Sequence, residues 1–181
     1  MKVIPSRLDG VCLIKPDVFK DARGFFLETY HQDRYREHGI DVDFVQDNFA
    51  RSDRDVLRGM HYQIKRSQAK LIWVAQGDIF DVVVDVRKDS STFGQWQGFP
   101  LSSKNHHQLF VPSGFAHGYC VKSRSACVIY KCSDFYFPEN EAGLIWNDPA
   151  VGIEWPVEDP ILSEKDQNLP NLENALIPDF S

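Results

Sequence analysis

Apolar and polar residues alternate at every second position through the middle of the chain, the period of a strand with two different faces. In Ile79-Phe80-Asp81-Val82-Val83-Val84-Asp85-Val86, the residues Phe80, Val82, Val84 and Val86 share one face, and Ile79, Asp81, Val83 and Asp85 share the other. That is a strand with one dry face and one mixed face. Just before it, Lys70-Leu71-Ile72-Trp73-Val74-Ala75 is rich in strand formers, and Gln76-Gly77-Asp78 reads as the hairpin turn joining the two. Further strands are predicted at 11–14, 24–30, 95–101, 108–111, 118–121 and 126–132. Turn residues punctuate them every 8 to 12 residues or so, the rhythm of an antiparallel sandwich or barrel. Helix is scarce: the one candidate is 32–38, stopped by Gly39 as a C-terminal cap. Many short strands, little helix and no repeat of fixed period predict an all-β, jelly-roll antiparallel barrel with few short helices.

The chain has 181 residues, 43% hydrophobic and 25% charged, which suits one domain spanning 1–181 around a single core. From about residue 156 to 181 the character changes, because Pro156, Pro160, Pro170 and Pro178 break any regular element; an extended tail lying over the barrel is expected. A net charge of −6 gives no basic field for nucleic acid or anionic membranes, so any phosphate contact must be local. The start Met1-Lys2-Val3-Ile4-Pro5 lacks the apolar run of a secretory signal, and no stretch approaches the roughly 18 apolar residues of a membrane span. A cytoplasmic protein is expected. Cys12, Cys120, Cys127 and Cys132 form no Cys-x-x-Cys pair and sit in or beside apolar runs, which reads as reduced thiols without a chemical role.

Candidate chemistry gathers around Arg58-Gly59-Met60-His61-Tyr62-Gln63, Lys70 and Pro112-Ser113-Gly114-Phe115-Ala116-His117-Gly118. These place two histidines, an arginine and a lysine at the ends of short strands, where a small barrel lines a polar pocket. A lone histidine is more often structural, but in a tight hairpin Lys70 would return to the mouth that holds His61 and Arg58. Histidine is the natural base near neutral pH, and lysine or arginine stabilises the negative charge that proton removal creates. Tyr130, alternating with Val128 and Cys132, is a packing residue or a general acid, since a phenol stays protonated at neutral pH. Asp166 reads on its own as a solvated tail carboxylate, and nothing in spacing pairs it with His61. Metal binding competes for the same histidines. However, His61-Tyr62-Gln63 offers no His-x-His with a nearby acid, and the adjacent His106 and His107 of a regular strand point to opposite faces. No metal is expected. No phosphate-binding glycine loop or Gly-x-Ser-x-Gly elbow occurs, so side chains such as Arg23 and Arg58 would have to hold a nucleotide, and hydrolase chemistry loses ground.

Six stretches in order carry a more specific message: residues 21–28 (Asp-Ala-Arg-Gly-Phe-Phe-Leu-Glu), 44–48, 58–63, 112–118, 146–149 and 162–166 (Leu-Ser-Glu-Lys-Asp). Together they resemble the dTDP-4-dehydrorhamnose 3,5-epimerase family, from about residue 3 to about residue 168. The resemblance implies a cupin-like jelly roll without metal or cofactor, usually a homodimer. It would act on dTDP-4-dehydro-6-deoxy-D-glucose and invert C3 and C5, the carbons flanking the C4 ketone, in dTDP-L-rhamnose synthesis. It further implies His61 as base with Asp166 as dyad partner, Lys70 beside the enolate oxygen, and Tyr130 returning the proton. Arg23, Glu28, Gln46, Asn48, Arg58, His117, Glu141 and Lys165 match substrate-contact positions, and Tyr136 matches the aromatic position that stacks on thymine. An epimerase inverting a single carbon, a sugar ketoisomerase and a non-catalytic sugar-nucleotide-binding module remain alternatives on the same scaffold. A metal-dependent cupin oxygenase is disfavoured by the missing ligands.

Overall fold

A computed structural model describes residues 1–177; the last four positions of the expected tail, 178–181, lie outside the described residues. In chain order the strands are β1 (Lys2–Pro5), β2 (Cys12–Lys15), β3 (Val18–Asp21), β4 (Gly24–Leu27), β5 (Gln46–Asp53), β6 (Leu57–Gln63) and β7 (Lys70–Gln76). They continue as β8 (Asp78–Asp85), β9 (Trp96–Ser102), β10 (Gln108–Val111), β11 (Phe115–Val121), β12 (Ser125–Cys132) and β13 (Glu141–Gly143). One sheet runs β1-β2-β10-β7-β12-β5 and the other β13-β6-β11-β8-β9, both antiparallel, while β3 and β4 form a separate hairpin. The two sheets face each other as an open jelly roll rather than a closed barrel, and the all-β expectation holds.

The principal core lies between the sheets, where Ile72, Val74, Leu109, Val111 and Val128 meet Ile79, Val83, Phe99, Leu101 and Val121. Each such side chain contributes roughly 1.5–3 kcal/mol on burial. The dry face of β8 does not turn to this core. Val82, Val84 and Val86 pack outward with Met60, Ala116 and Leu144, beneath Trp155, Leu172, Ala175 and Ile177 of the C-terminal segment. The mixed face turns inward, and both faces of the strand are therefore covered.

Two expectations change. Gln76-Gly77-Asp78 is no hairpin: β7 pairs with β10 and β12, whereas β8 pairs with β9 and β11, so the turn carries the chain from one sheet to the other. Gly77 has φ +89°, and a Cβ there would lie 2.3 Å from the Ser125 carbonyl oxygen, which reserves this crossing for glycine. The tail is not extended throughout, because it holds a short helix, Glu164–Gln167, and a 3-10 turn, Leu172–Asn174. Backbone hydrogen bonds between Ile161 and both Asp55 and Leu57 fasten this segment along the start of β6.

The predicted helix forms as α1 (Gln32–Glu37), ending at His38 with Gly39 at φ +83°. Two turns are marginal alone. Tyr35, only 1% exposed, anchors it by packing with Ile14, Leu71 and Phe110 and by donating its hydroxyl hydrogen to Gln108. The helix in the tail, α2 (Glu164–Gln167), starts at Ser163, whose Oγ accepts the Asp166 amide at 3.1 Å.

Candidate active site

A cavity of about 710 Å³ opens at one end of the space between the sheets, a size suited to a small ligand. Strand register explains its polarity. Across β7, β12 and β5, Lys70, Cys132 and Gln46 stand in one row, Ile72, Tyr130 and Asn48 in the next, and Val74, Val128 and Ala50 in the third. The inner face of this sheet thus runs from polar at the mouth to apolar in the core. On the facing sheet His61 of β6 pairs with His117 of β11, and Arg58 pairs with Tyr119. Imidazole and phenol accordingly line one cavity from opposed walls, with Lys70 on the Tyr130 side.

The β6–β11 ladder is unusually close where the histidines sit. A Cβ on Gly59 would meet the Gly118 Cα at 2.6 Å, and one on Gly118 would meet the Arg58 carbonyl oxygen at 2.7 Å. Only paired glycines allow this approach, which brings the backbone of the Arg58–His61 stretch against His117.

His61 Nε2 lies 2.7 Å from Asp166 Oδ1, and the Gly59 amide donates to Asp166 Oδ2 at 3.2 Å. Helix α2 thus returns the tail carboxylate to a strand 105 residues earlier in the sequence. Burial raises the Asp166 carboxyl, but the His61 contact, the Gly59 amide and Ser163 outweigh it and hold the group below the ordinary carboxylate value. With Nε2 committed, Nδ1 is the nitrogen left for chemistry. Glu141 Oε1 stands 3.9 Å from it while accepting from Lys165 at 2.9 Å, and Glu141 Oε2 accepts from the Tyr136 hydroxyl at 2.8 Å.

On the opposite wall, burial pushes the Tyr130 phenol up to about 12, so it carries its proton at neutral pH. Burial lowers Lys70, while Cys132, Asp81 and Glu141 support its charge. Gln46 donates to Asn48 at 3.0 Å and accepts the Tyr136 amide at 2.9 Å, tying β5 to the loop that carries the aromatic ring. Arg58 Nε donates to Ser52 Oγ at 2.9 Å, which aims the guanidinium along the cavity wall.

Eleven of the thirteen residues singled out by sequence line this cavity: His61, Lys70, Tyr130, Asp166, Gln46, Asn48, Arg58, His117, Tyr136, Glu141 and Lys165. Arg23 and Glu28 do not. Arg23 sits at the tip of the β3–β4 hairpin, 89% exposed and paired with Asp21, and Glu28 pairs with Arg34 of α1. The reason is topological, since the hairpin joins neither large sheet. Lys70 reaches the cavity, but from the sheet facing His61 rather than through a hairpin with it. Sequence reasoning passed over Asp81, Tyr119 and Cys132. Cys132 and Tyr119 line the cavity, and Asp81 holds His117 with both oxygens 3.0 Å from Nε2. The available signal was Asp81 itself, an acid between Ile79 and Val83 on the mixed face of a strand. All four cysteines are free, three of them buried.

Fold and site together define a cupin-like jelly-roll protein whose polar cavity is equipped for proton transfer. A carboxylate-backed imidazole stands on one wall, and a phenol and an ammonium group stand on the other. The chain belongs to the dTDP-4-dehydrorhamnose 3,5-epimerase family, whose family model matches residues 5–174. It is 47% identical over 180 residues to the dTDP-4-dehydrorhamnose 3,5-epimerase of Salmonella typhimurium, covering 98% of each chain. The epimerase of that name from Neisseria gonorrhoeae is 52% identical over 92% of this chain, which spans about half of that protein's length (51%). Among solved structures, the 3,5-epimerase RmlC of Legionella pneumophila in complex with dTDP-4-keto-L-rhamnose superposes with a TM-score of 0.96. It is 43% identical and covers 99% of this chain, which covers 98% of it.

Proposed function

We propose that this enzyme inverts C3 and C5 of dTDP-4-dehydro-6-deoxy-D-glucose to give dTDP-4-dehydro-L-rhamnose, the epimerisation step of dTDP-L-rhamnose synthesis. The observation that carries this reading is the 2.7 Å His61–Asp166 contact on one wall of a cavity whose other wall presents Tyr130 and Lys70. Hydrogens on carbons beside a ketone are acidic because the resulting carbanion delocalises onto oxygen. His61 Nδ1 removes the proton, and Asp166 accepts the Nε2 hydrogen and stabilises the imidazolium that forms. Lys70 faces the C4 oxygen, where a well-placed donor contributes about 3 kcal/mol or more as charge develops. Tyr130 delivers its proton from the opposite side, which inverts the centre. His61 then releases its proton and the phenolate recovers one from water, and the same pair serves the second carbon. Every step is a proton transfer, so the reaction draws on no redox group.

Gln46, Asn48, Arg58, His117, Glu141 and Lys165 bind the nucleotide and sugar, with Tyr136 stacking on thymine. Arg23 and Glu28 support a homodimeric reading: the hairpin that leads to them lies apart from this chain's cavity and exposes Phe19, Phe25 and Phe26 at 63%, 59% and 69%. A second copy would cover that apolar arm and take its polar groups into its own cavity. Four free cysteines fit a reducing, cytoplasmic setting. Proton NMR of the product formed in D2O from dTDP-4-dehydro-6-deoxy-D-glucose tests the function. The reading requires dTDP-4-dehydro-L-rhamnose with deuterium at both C3 and C5, and a product inverted at one carbon only would replace it with a mono-epimerase.

A further inference from the structure

Besides the His61–Asp166 pair, the cavity wall contains a second histidine–carboxylate pair. Asp81 is fully buried, on a strand face it shares with the core residues Ile79 and Val83, and both its oxygens lie 3.0 Å from His117 Nε2. A carboxylate in apolar surroundings is a stability cost unless its partner returns something. Among the described residues His117 is its one hydrogen-bond partner, and His117 Nδ1 makes no hydrogen bond to any of them. His117 is itself 8% exposed and lines the cavity.

We infer that Asp81 is a positioning residue for this reaction, acting through His117. An ionised carboxylate only accepts hydrogen bonds, so it selects the Nε2–H tautomer and pins the ring. Nδ1 is thereby left as the lone-pair nitrogen that accepts a hydrogen bond from a sugar hydroxyl in the cavity. The inference rests on the proposed sugar-nucleotide reading for what Nδ1 meets, but not for the tautomer. Burial holds the Asp81 carboxyl above its ordinary value, although His117 and Lys70 work against that push. By geometry the Asp81 side chain stands behind the cavity-lining imidazole.

Two measurements decide it. Nitrogen-15 NMR of ligand-free, histidine-labelled protein near neutral pH, with the signal assigned by its loss in His117→Gln, should show His117 protonated at Nε2 and bare at Nδ1. In a kinetic double-mutant cycle, Asp81→Asn should lower kcat/KM about tenfold or more, and should cost less than about twofold further in the His117→Gln background. A purely scaffolding Asp81 would lower Tm in Asp81→Asn without moving the His117 tautomer or kcat/KM. A proton on Nδ1 in the wild type, additive losses in the cycle, or wild-type kcat/KM in Asp81→Asn would each overturn the inference. If Asp81→Asn fails to fold, the wild-type tautomer alone decides. If the wild type leaves the dTDP sugar unchanged, the proposed function falls while the tautomer result, read without substrate, still stands.

Discussion

Replacing Asp166 by Asn keeps the size of the side chain and removes the charge behind the base. In the wild type the carboxylate receives two donors at once, His61 Nε2 on one oxygen and the Gly59 amide on the other. An amide has one oxygen. If that oxygen keeps the Gly59 amide, the NH2 group faces Nε2, and the imidazole must take its proton on Nδ1, where it can no longer abstract one. At 2.7 Å and an effective dielectric of about 20, a carboxylate and an imidazolium attract by about 6 kcal/mol. The His61 side chain is 24% exposed, so water screens part of this and about 4–5 kcal/mol is retained at the transition state. At about 1.4 kcal/mol per decade, kcat should fall roughly 10³- to 10⁴-fold. The assay is the rate at which the C3 and C5 proton signals of the substrate disappear in D2O, with Tm measured alongside to show a folded variant. A folded Asp166→Asn protein exchanging either proton within tenfold of the wild-type rate would refute the dyad.

Lys70, lowered by burial and faced by Cys132, Asp81 and Glu141, should give kcat/KM an alkaline limb below the ordinary lysine value of about 10.4. Tyr130 cannot be its source at about 12, so a rate that stays level through pH 10 contradicts the assignment. Gly118→Ala places a Cβ 2.7 Å from the Arg58 carbonyl oxygen and should cost about 1–3 kcal/mol, visible as a lower Tm; an unchanged Tm would show that β6 and β11 can part freely. Asp85 is buried and accepts from Arg87, Ser90 and Thr92; burial raises its carboxyl, but these donors together hold it below the ordinary value. Its stabilisation is therefore complete above the unfolded value near 3.9 and lost as pH falls through the lower folded value. Asp85→Asn should destabilise at neutral pH, with the Tm gap to wild type closing below about pH 4; a gap independent of pH would contradict this.

Where alternation was strong, the strands were legible. Residues 108–111 match β10, and β8 and β12 differ from their predicted spans by a residue. β5 went unseen because its inward residues are Gln46, Asn48, Ala50 and Ser52, the first three of which line a polar cavity, while Phe49 is 67% exposed on the other side. Its pattern is that of a binding strand, and hydrophobicity alone cannot reveal it. The turn at Gly77 was recognised as a turn but not as a crossing, since local chemistry sets the bend and pairing partners decide which sheet the chain enters next. His61, Lys70 and Tyr130 could be chosen by residue type, but which wall each occupies depends on sheet order. Asp166 was the harder case: its contact with His61 spans 105 residues and rests on a four-residue helix capped by Ser163. Asp81 was visible as a letter in a strand, and only packing shows that its neighbour is a histidine.

The central claim is that base and acid act from opposite sides of one ring. Tyr130→Phe isolates the two halves, because the imidazole remains while the opposing proton donor is gone. Incubated in D2O with dTDP-4-dehydro-6-deoxy-D-glucose, this variant should wash deuterium into recovered substrate of unchanged configuration and form almost no inverted sugar. Inverted product at the wild-type rate, or loss of exchange and inversion together in a folded protein, would contradict the two-sided account.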